Sequence, residues 1–253
     1  MPLSLVTLVI PAFRESRRLP ALLEALVEDS TAADAPVLEL LVVDDGSGAE
    51  ECERERAAVE AAAADLAARG PHRARFVAAP VNRGKGAAIR LGWEEAHPAS
   101  AWLGFLDADG AVSAREAWRL VRMLPRVEGE LDVLAGTRML MAGRSIRRSL
   151  RRHLQGRVFA TLVESLLHLG FYDTQCGLKL VRAALLRPLL PRLREERWLL
   201  DVEVLALLQR AGARMREEPI DWADPGGSKV VPGLDALRMG AGLRRIRRRL
   251  ERA

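Results

Sequence analysis

Three observations in the sequence predict an α/β fold, a mostly parallel sheet with helices on both faces. Short apolar, often β-branched runs alternate with longer stretches at helical spacing through residues 1–140. Each run ends in a polar cluster, in order "PAFRE", "DDGS", "NRGKG", "DADG" and "GTR". The 253 residues contain no repeat and no low-complexity linker, so residues 141–235 are expected to pack onto the first half as a single domain. Ligands of such sheets sit beyond the carboxyl ends of the strands, so the five clusters are expected to share one rim.

The elements follow in order. "LSLVTLVI" (3–10) reads as a buried strand; no basic stretch precedes it and it runs into a polar cluster, unlike a signal peptide. Leu19, Leu22, Leu23, Leu26 and Val27 fall at helical spacing. "VLELLVVDDGS" is a second strand, and the alanine-rich stretch 50–69 a helix. "RFVAA" is a third strand, followed by a glycine-broken turn and a helix over 86–96. "AWLGFLDADG" is a fourth strand, Ser113 with Glu116 a capping box, and "DVLAGTR" a fifth strand. A basic helix is expected over about 146–169, then "DTQCGLKLV" and another helix. "ERWLLDVEVLALLQR" is expected to be helical, "RMREEPIDW" a late strand and "GGSKVVPG" a loop. Residues 236–253 form a basic amphipathic helix.

Composition bounds the function. Hydrophobic residues make up 49% and charged residues 29%, as in a soluble globular protein. No apolar run is long enough to predict a membrane-spanning helix. Cys52 and Cys176 lie far apart without metal-site spacing, which suits a reducing cytoplasm. The net charge of +5 is uneven: residues 144–157 hold six arginines and no acid. Residues 244–252 hold six arginines and one acid. Such runs are solvated helix faces or contacts to phosphates or an anionic membrane. Met239, Leu243, Ile246 and Leu250 form an apolar stripe suited either to such a membrane or to packing on the domain. With one tyrosine and little aromatic interleaving, a nucleic-acid partner is not expected.

Asp107 and Asp109 flank Ala108 at a strand end, where alternate residues share a face. Two hard oxygen ligands suit Mg²⁺ or Mn²⁺ bound together with a diphosphate. Asp44 and Asp45 can accept hydrogen bonds from a base or ribose, or close an Asx-turn. "NRGKG" supplies glycines and the cation of Lys85 without the spacing of a P-loop.

In this order and spacing, "VIPAFRE", "VVDDGS", "NRGKGAAIRLG" and "FLDADGA" resemble the family 2 glycosyltransferases, whose fold is called GT-A. "DTQCGLKL", "ERWLLDVEVL" and "GSKVVPGLDALRMG" narrow the resemblance to the dolichyl-phosphate glucosyltransferase and dolichyl-phosphate mannose synthase branch. The resemblance implies inverting transfer of a hexose, glucose from UDP-glucose above all, to a polyprenyl phosphate of dolichyl or undecaprenyl type. It implies that Pro11, Ala12, Phe13, Glu15, Asp44 and Asp45 hold the nucleoside, with Lys85 near it. Asp107 and Asp109 would serve a Mg²⁺ or Mn²⁺ ion and the donor diphosphate. Arg138, Arg148 and Arg152 would meet phosphates. Asp201 and Glu203, near Arg197 and Trp198 on one helical face, would act as base or position acceptor or sugar. Asp173, Gln175, Lys179, Ser228 and Lys229 would line the acceptor side.

Cys176 has no second soft ligand nearby and reads as a packing residue, whereas Gly177 permits close backbone approach. Arg14 stands before Glu15 where many relatives have another polar residue. The "QxxRW" motif of processive synthases is absent. The expected location is cytoplasmic, peripheral on the cytoplasmic face of a membrane. GDP-mannose as donor, a soluble acceptor, and a non-catalytic basic membrane or nucleic-acid binding module are the alternatives.

Overall fold

The computed structural model describes residues 4–31, 35–147, 150–224 and 234–251, with the side chains of 150–152 and 234–238 outside that set. The first half alternates as expected. Strands β1 (Leu5–Ala12), β2 (Val37–Asp44), β3 (Arg73–Ala78), β4 (Ser100–Leu106) and β5 (Val133–Thr137) are separated by α1 (Leu19–Glu28), α2 (Ala49–Arg69), α3 (Lys85–Glu95) and α4 (Ala114–Val127). The Ser113 hydroxyl accepts the Glu116 N–H at 3.3 Å, the cap expected at the start of α4.

The second half runs β6 (Ile146–Arg147), α5 (Leu150–Leu167), β7 (Leu178–Arg182), α6 (Ala183–Leu186), α7 (Leu200–Arg210), β8 (Met215–Pro219), β9 (Trp222–Ala223) and α8 (Leu234–Glu251). Two boundaries correct the sequence reading. The basic helix expected from 146 begins at Leu150, because Ile146–Arg147 pair in parallel with Trp222–Ala223. The helix expected to carry Arg197 and Trp198 begins at Leu200, so both residues lie in the preceding turn. Pro188 and Pro191 confine the helix after β7 to one α-turn and a 3-10 stretch.

One sheet holds seven strands in the order β3-β2-β1-β4-β7-β5-β8. β1 to β4 pair in parallel, and β5 pairs in parallel with β8. β7 is inserted antiparallel between β4 and β5. The carboxyl ends of β1 to β5 therefore lie on one rim, and so does the start of β7. The reversed strand thus brings "DTQCG" to the rim that the first-half clusters occupy. The strand order reverses between β1 and β4, where α/β sheets open a ligand crevice.

Alternation along the strands builds two cores. Val6, Leu8 and Ile10 face α1, α2 and α4, through Leu23, Val59 and Trp118 among others. Val9, Leu41, Val43 and Phe105 face α3, α5, α7 and α8, with Trp93, Val163, Leu205 and Ile246. Helices thus cover both faces. The stripe of the last helix is resolved in favour of packing: Leu243, Ile246 and Leu250 are buried in the second core. This corrects the membrane-facing reading of that stripe. Among the described residues, no helix is long and apolar enough to cross a membrane.

Candidate functional site

Asp107 and Asp109 lie just past β4, in a turn rather than in the strand. Asp107 is anchored from the reversed strand, its N–H donating to the Gly177 carbonyl at 2.9 Å. A Cβ on Gly177 would stand 2.4 Å from Asp107 Oδ2, so only glycine allows this approach. Lys85 Nζ, at the first residue of α3, forms an ion pair with Asp107 Oδ1 at 2.6 Å. Burial works against the lysine charge, but Asp107, Asp201 and Asp109 outweigh it and raise its pKa. The same cation lies over the rings of Phe105 and Trp198, 5.0 and 5.8 Å from their centroids. Asp109 accepts the Ala111 N–H at 3.0 Å. Its pKa is raised, first by burial and then by the Asp107 charge, against the pull of Lys85 and Arg18.

The loops after β1, β2 and β3 are clamped to one another. Asp45 accepts the N–H groups of Arg83 and Gly84 at 2.9 and 2.8 Å. Asp44 accepts the Ser47 N–H at 2.9 Å, the Asx-turn alternative. Both carboxylates are buried. Both oxygens of Asp45, expected on the nucleoside, each accept one N–H of the "NRGKG" backbone. The glycines of that loop admit protein, not ligand. Cβ atoms on Gly84 and Gly86 would each fall 2.7 Å from backbone oxygens of Glu196 and Arg197 respectively. Pro11 and Ala12 end β1, and Arg14 follows Phe13 at φ 56°, a left-handed conformation that strains a non-glycine residue. Its N–H donates to the Ser47 hydroxyl at 2.7 Å and its guanidinium stacks on Phe13. Glu15 is a bidentate partner of Arg18 at 2.6 and 2.7 Å.

On the other side of Asp107 the charges alternate. Arg138, one residue beyond β5, grips Asp173 through Nε and Nη2 at 2.6 and 2.8 Å, and its N–H adds a third bond at 3.1 Å. Burial alone would raise the Asp173 carboxyl, but Arg138 outweighs it and holds its pKa down to about 2. Asp173, expected on the acceptor side, thus orients Arg138. Gln175 donates to the Trp198 carbonyl at 3.0 Å and ties the start of β7 to the turn before α7. Arg197 in that turn is exposed and Trp198 is half-buried.

Three expected acceptor residues have structural partners. Lys179 is fully buried, donating to Asp201 Oδ1 at 2.6 Å and to the Cys176 carbonyl at 2.8 Å. It does not face a phosphate, and Asp201, committed to it, is not a free base. Glu203 accepts the N–H groups of Arg194 and Glu195 at 2.8 and 2.7 Å and meets Arg249 at 2.8 Å. It fastens α8 to the turn rather than lining a site. Arg148, Ser228, Lys229 and the Arg152 side chain lie outside the described residues. Cys176 is a packing residue: burial first, then Asp173, pushes its thiol up to about 12.

The sequence reading missed Arg157, Tyr172, Glu217 and Arg18. Arg157 on α5 stacks over Tyr172 at 4.1 Å and donates to its carbonyl, and with Arg138, Phe159 and Gln175 it lines a small cleft. Glu217 on β8 accepts the N–H groups of Tyr172 and Asp173 at 2.7 and 2.9 Å, fixing the approach to β7. No motif marks them; only the pairing of β8 beside β5 brings Glu217 to this end.

Among the described residues, no group of three His, Cys, Asp or Glu side chains is placed to hold a metal. Asp107 and Asp109 nevertheless fit a divalent cation as part of its donor set. They are hard oxygen donors two residues apart in one turn, close enough that the Asp107 charge adds to burial in raising the Asp109 pKa.

A sheet in this strand order, with paired carboxylates after β4, is the architecture of the GT-A glycosyltransferases. The chain belongs to glycosyl transferase family 2, whose sequence profile matches residues 7–189. It is 32% identical to the dolichyl-phosphate beta-glucosyltransferase of Homo sapiens, over 98% of this chain and 76% of that protein. It is 28% identical to the enzyme of the same name from Dictyostelium discoideum, over 96% of this chain and 73% of that protein. In fold it matches glucosyl-3-phosphoglycerate synthase from Mycobacterium tuberculosis, solved with uridine diphosphate, at TM-score 0.65 and 16% identity over 99% of this chain and 81% of that one.

Proposed function

We propose that this protein transfers glucose from UDP-glucose to a polyprenyl phosphate, with inversion at the sugar carbon. The observation that carries the reading is the meeting, at one rim, of the Asp107–Lys85 pair and Asp109 with the Arg138–Asp173 pair. The names of the relatives supply the glucosyl group and the lipid phosphate. In this reading the loops after β1, β2 and β3 form the nucleoside side. The clamp from Asp45 to Arg83 and Gly84 keeps that side rigid before the donor arrives.

Asp107 and Asp109 would hold Mg²⁺ or Mn²⁺ together with oxygens of the diphosphate. A divalent ion there supplies positive charge against the charge that develops on the departing diphosphate. Lys85 adds a fixed cation beside the same carboxylates, and needs no reorganisation as the bond to the leaving group breaks. The acceptor side is the cleft with Arg138 and Arg157. Asp173 uses Nε and Nη2 of Arg138, so Nη1 is the guanidinium nitrogen offered to a phosphate. A phosphate monoester carries roughly −1.5 to −2 charge at neutral pH and attacks without a strong general base. The pairing of Asp201 with Lys179 agrees with that economy.

Radiolabelled UDP-glucose and polyprenyl phosphate provide the test. Label is expected in the organic phase, and Asp107→Asn and Asp109→Asn are each expected to reduce its rate by about a hundredfold or more while leaving the melting temperature within a few degrees. Label confined to the aqueous phase, or full activity in both variants, overturns the reading. GDP-mannose in the same assay separates the two donors.

A further inference from the structure

The outer surface of the second helical layer carries a row of large apolar side chains among its exposed polar ones. α5 sets Phe159, Val163, Leu166 and Leu167 against the second core. Its opposite side would ordinarily be polar. Instead Leu154, Val158 and Leu162, spaced i, i+4, i+8, are 56, 70 and 38% exposed. The row spans about 12 Å of helix. Two further large apolar side chains, Leu140 and Met141, are 72 and 46% exposed just after Arg138. Leu243, Ile246 and Leu250 on α8 are buried by contrast, so of these two helices it is α5 whose described residues leave an apolar row exposed.

We propose that the outer row of α5 is the surface on which this protein seats against an anionic lipid bilayer. Charge selects this occupant. Residues 144–157, which lead into the row and overlap it, contain six arginines and no acid, and Arg147 is exposed. An apolar row headed by cations matches hydrocarbon beneath anionic headgroups. A second copy docked by a two-fold axis would bring the same arginine-rich segments together, which like-charge repulsion opposes. Position agrees as well. Arg157, one residue before Val158, lines the cleft with Arg138, so a bilayer at this row lies next to the site assigned above to the acceptor phosphate. Only this last point rests on the proposed function; the docking surface itself does not.

Flotation of the full chain with phosphatidylcholine vesicles, with and without phosphatidylglycerol and with no substrate present, tests the proposal. The parent is expected to float with the anionic vesicles. Leu154→Ser combined with Val158→Ser is expected to bind at least about tenfold more weakly. Unchanged transfer to a short-chain, water-soluble acceptor is the expected control for folding of that variant. A Val158→Trp variant supplies a second readout, with a blue shift of its added emission, relative to the parent, expected on mixing with anionic vesicles. Parent and double variant floating alike, or a parent that does not float, overturns the proposal. So does a parent dimer in sedimentation that the double variant dissolves, since the row is then a contact between copies. Floating without any glucosyl transfer would sink the proposed function and leave the docking surface standing.

Discussion

Glu55 on α2 shows how a single buried carboxyl is set by its surroundings. It is fully buried and its Oε1 accepts the Glu15 N–H at 2.7 Å, which holds the loop after β1 from behind. Burial first, then Asp44, Glu51 and Glu15, pushes its pKa up to about 7, against that single N–H donor. The folded state then binds more protons than the unfolded chain, whose value is near 4.5. Stability from this residue therefore falls as pH rises from about 4.5 to about 7, and is level above that. Glu55→Gln is expected to remove the fall, gaining about 3 kcal/mol at alkaline pH and nothing at acid pH. Urea unfolding of parent and variant across this range measures it; parallel curves would refute it. Asp173 has the opposite sign. Its depressed pKa means that its contribution persists at neutral pH and is lost only as pH falls from about 3.8 toward about 2.

Among the elements, β7 carries the sharpest contrast between sequence and structure. Its lysine sits inside an apolar strand, and the partner that makes this tolerable, Asp201, comes from α7. Removing one charge leaves the other buried alone. Lys179→Met is therefore expected to cost about 3–5 kcal/mol, and Lys179→Met with Asp201→Leu clearly less than the sum of the two single losses. A double-mutant cycle in denaturant decides; additive losses would contradict the pairing. This ion pair was not legible in the sequence: Lys179 was expected on the acceptor side, and nothing local in "LKL" shows that the strand is covered on both faces or that Asp201 lies opposite. The strands before "DDGS" and "DADG" were legible because apolar runs ending in aspartate and glycine state both period and turn chemistry locally, and the strand before "PAFRE" because its β-branched apolar run stops at a proline. Strands β6 and β9, two residues each, exist only through their mutual pairing and have no period to read. Arg197 and Trp198 were misplaced for a related reason: their turn is fixed by contacts to Gly84 and Gly86 more than a hundred residues earlier.

At the level of the whole molecule, both cores draw on both halves of the chain. Leu243 of α8 is fully buried with the α7 leucines, and Glu203 and Glu195 receive Arg249 from the same helix. Leu243→Ala is expected to destabilise by about 2–5 kcal/mol, lowering the melting temperature by roughly 4–20 °C. A loss below 1 kcal/mol would show that α8 is not part of the core. The reversal of β7 has a consequence for cutting the gene. Separation at residue 140 would give a front fragment whose β4 has lost its antiparallel neighbour, and a long, buried, apolar strand would become an open edge. The rear fragment would keep β7 and β8 without β5, the strand that joins them. Two such pieces, each sticky in isolation, have complementary edges. Co-expressed, they are expected to act as a split reporter, with activity returning only when the rear piece slides its reversed strand between β4 and β5 and brings Gly177 back to Asp107.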